Sequence, residues 1–242
     1  MTTAEAGAPR SATESAYRHL KHLILTSALA PGEELREVAL TASTGFGRSP
    51  VREALRRLVQ DGFVEVRPRQ GYRVAPITLS GVRDLFEMRL LLEPAAVELA
   101  ARRAPEEELA ALHPLAHQTY VHGDPASYEQ FLQDNREFHV RIARASGNER
   151  LAGTLRVLLE EMQRLLVISL AHRDSAAELV HEHHALLDAL LARDAAGARA
   201  IAVEQIEAGR TRVLDGLISR ADHPARTAAG VVLADAPVRR DH

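Results

Sequence analysis

The hydrophobic pattern of this chain changes at Pro76-Ile77-Thr78, and this change constrains the fold more than any other feature. Before this point, apolar residues recur first at helical spacing and then in two short strand-like runs. From about residue 79 to residue 219, only helical spacing recurs. Helices and strands repeat their buried positions with different periods, so the two parts must pack as different structures. The sequence therefore predicts two domains, at residues 11–78 and 79–220, and a loose tail at 221–242.

The first domain is predicted to be a winged helix-turn-helix. Ser11 and Glu14 form a capping-box pattern that opens a helix, and Pro31-Gly32 ends it. Two shorter helices and a β-hairpin then follow within about 65 residues of the domain's start, which is the order of elements in that fold. The expected elements after the first helix are helices near 37–44 and 49–60, and strands near 63–66 and 72–74.

The second domain is predicted to be an all-helical bundle, rich in Ala, Leu, Arg and Glu. Turn-forming residues divide it into about six helices, enough to bury a core of its own. The breaks are expected at Pro105, Gly123-Asp124-Pro125, Gly147-Asn148, His172-Arg173-Asp174 and Asp194. The predicted fold class is therefore mainly α, with an N-terminal winged helix-turn-helix followed by a helical bundle.

Composition excludes several classes of protein. The chain has no cysteine, so it can form neither a disulfide nor a cysteine metal site. No apolar run approaches the roughly 18 residues that would span a bilayer. The first ten residues also lack the apolar core of a signal peptide. These observations predict a cytoplasmic protein that does not interact with membranes.

The third helix is the candidate for reading DNA. At 100° per residue, Arg48, Arg52 and Arg56 fall on the flank of an apolar stripe. Pro50 fits the first turn, where its missing N–H costs nothing, and Ser49 lies beside backbone N–H groups that suit a phosphate. Arginine can also pair bidentately with guanine. The alternative is that the third helix is an ordinary surface helix with solvated arginines. Its position between a short helix and a basic hairpin favours DNA binding.

Several motifs in this domain occur in the order and spacing of the GntR superfamily of bacterial regulators, which residues 16–78 resemble. The resemblance implies a homodimer on a palindromic DNA operator. It places Arg48 and Arg52 in the major groove, and the hairpin tip at Arg69, Gln70 and Gly71 in the minor groove. The motifs are Pro31-Gly32-Glu33-Glu34-Leu35-Arg36-Glu37, Arg48-Ser49-Pro50-Val51-Arg52-Glu53-Ala54-Leu55-Arg56-Arg57-Leu58, Asp61-Gly62-Phe63-Val64 and Arg67-Pro68-Arg69-Gln70-Gly71-Tyr72-Arg73-Val74.

The sequence departs from the family pattern just before the third helix. The family usually has Ser or Thr before the arginine, whereas this chain has Gly47. Glycine is tolerated at a helix N-terminus, so we expect the fold to be kept. Gly47 has no side-chain oxygen, which removes one expected phosphate contact.

Residues 80–215 resemble the effector domain of the FadR-type branch, known as FCD, and six helices are typical of its VanR-like form. The resemblance implies a repressor released by a small-molecule effector such as an organic acid. An effector-independent DNA-binding regulator is the alternative. The motifs are Asp84-Leu85-Phe86-Glu87-Met88-Arg89-Leu90-Leu91-Leu92-Glu93, Asn135-Arg136-Glu137-Phe138-His139, Ala145-Ser146-Gly147-Asn148 and Glu182-His183-His184-Ala185-Leu186-Leu187-Asp188-Ala189-Leu190.

Helical phase turns Asn135, His139 and His183 towards the interior of the bundle. Asn135 and His139 are four residues apart, and His183 lies on the apolar stripe of another helix. Buried polar groups need partners, which a metal, an anionic effector or a structural hydrogen bond would supply. The neighbouring Glu182 and His184 are interpreted as part of a solvated helix face.

Many FCD domains hold a divalent metal such as zinc with an Asp or Asn and three His residues. The resemblance places this set at Asn135, His139, His183 and position 205, which is Gln205 here. Amide side chains bind transition metals poorly, so a metal-free effector site and a satisfied core network stay open beside the metal. Arg89 is a further effector candidate because it could face a carboxylate; a surface ion pair is the alternative.

An enzyme is the rival class, and the sequence does not favour it. The chain has no cysteine nucleophile, no glycine-rich phosphate loop and no Gly-x-Ser-x-Gly motif. A di-iron site in a helical bundle would need two Glu-x-x-His motifs, and Glu178-x-x-His181 is the single convincing one. We therefore predict that the chain is not a helical-bundle metalloenzyme.

Overall fold

The computed structural model describes residues 11–221 and 231–232, and it divides the chain into two compact units between Ile77 and Thr78. The predicted fold class is confirmed, since a small winged helix-turn-helix precedes a helical bundle. The first elements along the chain are α1 (Ala12–Leu25), β1 (Glu34–Leu35), α2 (Glu37–Thr44), α3 (Arg48–Gln60), β2 (Val64–Arg67), β3 (Gly71–Val74) and β4 (Ile77–Thr78).

The first unit is organised by the packing of α1 against α3. The hydroxyl of Ser11 caps α1 by accepting from the Glu14 N–H at 3.2 Å, as the capping-box pattern predicts. At the far end of α3, the Tyr17 hydroxyl donates to Asp61 at 2.5 Å. The Arg57 guanidinium lies 3.9 Å from the centre of the Tyr17 ring and donates to Glu14 at 2.7 Å. These contacts fix the orientation of α3.

The wing is a three-stranded antiparallel sheet in the order β1-β3-β2. The sequence predicts its hairpin but not β1, because two residues are too few to show a period. Gly71 has a φ of +101°, and a Cβ added there would lie 3.0 Å from the carbonyl oxygen of Leu35. Glycine therefore allows the hairpin to approach β1 closely.

The second unit is a bundle whose helices end at the predicted breaks. Residues between Pro105 and His117 form two short helices, so the described part of this unit has seven helices where the sequence predicts about six. The helices are α4 (Leu79–Arg103), α5 (Glu106–Ala110), α6 (His113–Ala116), α7 (Pro125–Ala145), α8 (Glu149–His172), α9 (Ala176–Leu191) and α10 (Ala195–Ala221). α10 packs along α4, and α7 packs along α8.

The predicted loose tail at 221–242 lies almost entirely outside the described residues. Within it, the structure describes the end of α10 at Ala221 and a two-residue strand, β5 (Val231–Val232), which pairs with β4. No helix in the described part of the chain is both long enough and apolar enough to cross a membrane.

Candidate functional site

The exposed face of α3 carries three arginines in a row, Arg48, Arg52 and Arg56. The adjoining apolar stripe is fully buried and forms part of the core of the first unit; it consists of Val51, Ala54, Leu55 and Leu58. Arg56 pairs with Glu53 at 3.4 Å, whereas Arg48 and Arg52 make no ion pair or hydrogen bond with another described residue. Their guanidinium groups are therefore available to phosphates or base edges.

The N-terminus of α3 has no side-chain cap. Gly47 takes the N-cap position with a φ of −66°, and it offers no side-chain oxygen to accept from the backbone N–H groups of the first turn, next to exposed Ser49. A Cβ added to Gly47 would meet only the Pro50 Cδ, at 3.7 Å. The position therefore has room for a larger residue, and its uncapped N–H groups can bind an anion.

The hairpin tip exposes Arg67, Arg69 and Gln70 just before Gly71. Arg69 has a φ of +65°, the left-handed region that residues with a Cβ seldom adopt. The turn is closed by the Gln70 N–H, which donates to the Arg67 carbonyl at 3.0 Å. The tip is thus a defined turn that projects basic side chains, and its contact with DNA stays a prediction.

In the second unit, a buried carboxylate joins α4 to α7. Glu93 accepts from the Arg89 Nε at 2.8 Å and lies 2.9 Å from the His139 Nδ1. All three side chains are buried. Burial by itself raises the pKa of Glu93, but Arg89 and His139 outweigh it, and the pKa lies well below its usual value. Glu93 is therefore an ionised carboxylate. It accepts a hydrogen bond from the Nδ1–H of His139.

His183 lies beside this group, on α9. Its ring centre is 5.4 Å from that of His139 and 4.6 Å from that of Phe138, and the side chain is only 2% exposed. Burial lowers the pKa of His183 to about 3, with a smaller contribution from His139, so the ring is neutral near pH 7. Its Nδ1 has no hydrogen-bond partner among the described residues. A buried polar atom of this kind needs a ligand or water to satisfy it.

Asn135 and Gln205, which the sequence also predicts for this site, lie on the same two helices as His139 and His183 or contact them. Half-buried Asn135 lies one helical turn before His139 and makes no side-chain hydrogen bond with another described residue. The Gln205 amide donates to the backbone carbonyl of Glu182, next to His183. The structure therefore places His139 and His183 together. Gln205 adjoins them through α9, and Arg89 through Glu93.

Three features of this site differ from the sequence interpretation. The alternative of a surface ion pair for Arg89 is wrong, because its pair with Glu93 is buried. Glu182 and His184 are not simply solvated: Arg212 donates twice to Glu182, at 2.7 and 2.8 Å, and the His184 ring lies 4.1 Å from that of His117. Glu93 is not among the site residues predicted from the sequence, although its position along α4 places it on the buried face of that helix.

Helical spacing would have identified Glu93. Phe86, Arg89 and Glu93 follow one another at intervals of three and four residues, so they share one face of α4. Phe86 is fully buried, and the other two must therefore be buried with it. An Arg and a Glu four residues apart can pair along a helix, which is what a buried charge needs.

The donor set does not fit a divalent metal. Among residues 11–219, whose side chains are described, no group of three or more His, Cys, Asp or Glu side chains could hold a metal ion. Asn135 and Gln205 contribute neutral amides, and the carboxylate of Glu93 is already bound by Arg89 and His139. The predicted ligands Asn135, His139 and His183 therefore form a polar site without a free negative charge.

Comparison with known proteins identifies both units. The family model "Bacterial regulatory proteins, gntR family" matches residues 12–74, and the model "FCD domain" matches residues 84–208. The chain is 35% identical to the Nta operon transcriptional regulator of Aminobacter aminovorans. The match extends over 162 residues and covers 67% of this chain and 75% of that protein.

Two further relatives agree with this assignment. The HTH-type transcriptional repressor GlaR of Escherichia coli is 30% identical over 190 residues, covering 75% of this chain and 86% of GlaR. The solved structure of E. coli McbR/YncC superposes with a TM-score of 0.69 at 27% identity, over 86% of this chain and 99% of that one.

Removal of the Glu93 charge should destabilise the bundle more than removal of any exposed carboxylate. We expect Glu93→Gln to lower the free energy of unfolding at pH 7 by about 3–5 kcal/mol, because it leaves Arg89 buried without a counter-ion. Urea unfolding followed by far-UV circular dichroism measures the loss. The folded pKa of Glu93 is lowered, so its contribution should fade as the pH falls below the ordinary carboxyl value of 4.5.

Glu98→Gln is the matched control on the same helix. Glu98 pairs with Arg102 and Arg199, but both arginines are exposed. Surface ion pairs contribute about 1 kcal/mol or less. Equal losses for the two variants would show that the buried pair does not stabilise the bundle more than an exposed one.

Proposed function

Because this chain belongs to the GntR family of DNA-binding transcriptional regulators and carries an FCD effector domain, we propose that it is a repressor released by a small organic acid. It acts in the cytoplasm, as a homodimer on a palindromic operator. The observation that carries the proposal is an arginine face on α3, on which Arg48 and Arg52 pair with no other described residue, in the same chain as a buried polar site around His183. The name of GlaR, a transcriptional repressor, supports the direction of control.

The α3 face supplies the groove contacts in this proposal. Arg48 and Arg52 approach base edges in the major groove, where arginine pairs with guanine O6 and N7. Ser49, Pro50 and Arg56 lie against the phosphates that flank those bases. The hairpin tip of Arg69, Gln70 and Gly71 enters the minor groove, for which a projecting basic turn is suited.

Dimerisation is supported by apolar side chains on the surface of the bundle. On α4, Leu91 is 65% exposed and Met88 is 40% exposed. Val157 on α8, which packs against α4, is 51% exposed. A second copy that covers these side chains would remove apolar surface from water and present two α3 helices to DNA.

The effector site consists of Arg89, Asn135, His139, His183 and Gln205. The Arg89 Nε is bound to Glu93, but its terminal nitrogens make no hydrogen bond with a described residue and can hold a carboxylate. An effector can shift DNA affinity only by its differential affinity for the free and DNA-bound states. If the effector releases the protein from DNA, it must therefore bind the free protein more tightly than the DNA-bound protein.

A release assay tests the proposal. An operator selected from random DNA by the purified protein is labelled, and its affinity is measured by fluorescence anisotropy with and without a panel of organic acids. We expect at least one acid to weaken operator binding by about 5- to 150-fold, the usual range of allosteric coupling. A protein that binds its operator equally well with every acid would instead be an effector-independent regulator.

The contribution of Arg52 can be measured directly. We expect Arg52→Ala to weaken operator binding by about 1–3 kcal/mol and to relax the preference at one base pair, because a bidentate base contact is lost. Anisotropy with the operator and with single-base variants measures both effects. Arg102→Ala removes another exposed arginine, from the second unit, and should leave both unchanged. Unaltered affinity in Arg52→Ala would refute this role.

Gly47→Ser should strengthen DNA binding. The serine hydroxyl restores a phosphate contact and a helix cap, and the space beside Pro50 admits the new Cβ. We expect operator affinity to rise by roughly two- to tenfold, the net worth of about one hydrogen bond, with an unchanged sequence preference. Gly47→Ala adds the Cβ without the oxygen. A gain of the same size in that variant would exclude a hydroxyl contact.

Leu91→Glu should weaken the dimer. The substitution places a charge on the exposed apolar face of α4, which must be desolvated if a second copy covers it. Sedimentation velocity at micromolar concentration should show a shift from dimer to monomer. Val121→Glu, on a loop where valine is 66% exposed, is the control and should remain dimeric. A Leu91→Glu variant with wild-type self-association would place the interface elsewhere.

A further inference from the structure

We infer that the site around His183 binds its ligand directly through hydrogen bonds, without a bridging metal ion, and that the ligand is a small molecule with a carboxylate or hydroxyl oxygen. This inference rests on the proposed function, because it concerns the effector site. It departs from the resemblance, which implies a divalent metal at Asn135, His139, His183 and Gln205.

The charge of the donor set disfavours a metal. A dication in this site would have to be held by two neutral imidazoles and two neutral amides. The nearby carboxylate of Glu93 already balances Arg89 and accepts from His139. A buried dication without an anionic ligand loses its hydration and gains little in return, and amide oxygens are weak ligands for transition metals.

The two imidazoles are supported unequally by their neighbours. A metal-binding histidine almost always donates its second ring N–H to a carboxylate, a carbonyl or water. His139 has such support, because Glu93 lies 2.9 Å from its Nδ1. His183 has none, since its Nδ1 is buried with no hydrogen-bond partner in the described part of the chain. This nitrogen is therefore one that a ligand or water can satisfy, and it lacks the support that a metal-binding imidazole needs.

Gln205 is held by a contact between two helices. Its amide nitrogen is held by the backbone carbonyl of Glu182, the residue before His183. The side chain of the same Glu182 is held by Arg212, whose two terminal nitrogens donate to its carboxylate oxygens at 2.7 and 2.8 Å. Gln205 thus joins α10 to α9 through its amide nitrogen, which leaves only a neutral amide oxygen as a possible metal ligand.

These three observations define the chemistry of the ligand. The buried Nδ1 of His183 has no partner among the described residues, and it either donates to a carboxylate or accepts from a hydroxyl, depending on the ring's tautomer. The terminal nitrogens of Arg89, which make no hydrogen bond with a described residue, can donate to the carboxylate of such a ligand. The ligand class is thus an organic acid, including a hydroxy acid, that contacts protein side chains directly.

The test compares the full-length protein with an Asn135→Asp/Gln205→His variant, which installs the ligand types of the metal-binding relatives. Metal content is measured by plasma mass spectrometry after dialysis. Thermal unfolding is followed with ZnCl2 and with MnCl2 alone. We expect the wild type to contain less than stoichiometric metal and to keep its Tm. The variant should bind one ion per chain and gain roughly 5–10 °C in Tm at a hundredfold excess over Kd.

Each outcome decides the inference. One tightly bound metal per wild-type chain, with a fall in Tm on EDTA treatment, overturns it. A folded double variant that binds no metal also overturns it, because the four positions would then not share one site. His183→Ala in the double variant should abolish the added metal, which locates it.

The inference can fail independently of the proposed function. The metal measurements need neither operator nor effector, so a failure of the release assay leaves them valid. The acid found in that assay is then retested with protein dialysed against EDTA. Undiminished release supports direct binding, and release that returns only when zinc is added overturns it.

Discussion

The ionised carboxylate of Glu93, buried between α4 and α7, is the interaction on which the second unit depends. A buried charge persists only with partners, and here Arg89 and His139 supply them. Pro94 follows directly and has no backbone N–H to donate, so the carbonyl of Leu90 loses its ordinary helical partner. The middle of α4 is consequently polar and tied to its neighbours. This polarity creates a site at the place where a bundle would otherwise have an apolar core.

The same constraint explains why His183 stands out. Phe138 and His139 present ring surfaces to it, but neither gives its Nδ1 a hydrogen bond. An unsatisfied polar atom costs stability in the absence of a ligand. A binding site of this kind exchanges stability for ligand affinity. Removing such a group usually stabilises a protein at the expense of function.

In the first unit, tertiary packing divides the basic residues between two tasks. Arg57 is used structurally, between Tyr17 and Glu14, and Arg73 pairs with Glu65 across the hairpin. Arg48 and Arg52 make no such contacts with described residues. A modest local excess of positive charge is thereby concentrated on one face of α3. The first turn, left uncapped by Gly47, adds the partial positive charge of a helix N-terminus to that face.

The sequence by itself determined the division into two domains, the order of the longer helices and the hairpin, the main breaks between those helices, and the exposure of the arginines on α3. These depend on local properties: capping residues, glycine and proline at turns, and the phase of apolar residues within a single helix. The spacing of apolar residues also predicted that His139 and His183 face the interior of the bundle. Only the tertiary structure decided what they meet, because contacts between α4, α7 and α9 depend on how helices pack, which no single period encodes. The two-residue strand β1, the pairing of Glu93 with His139 and the bond from Gln205 to α9 are all contacts of this kind.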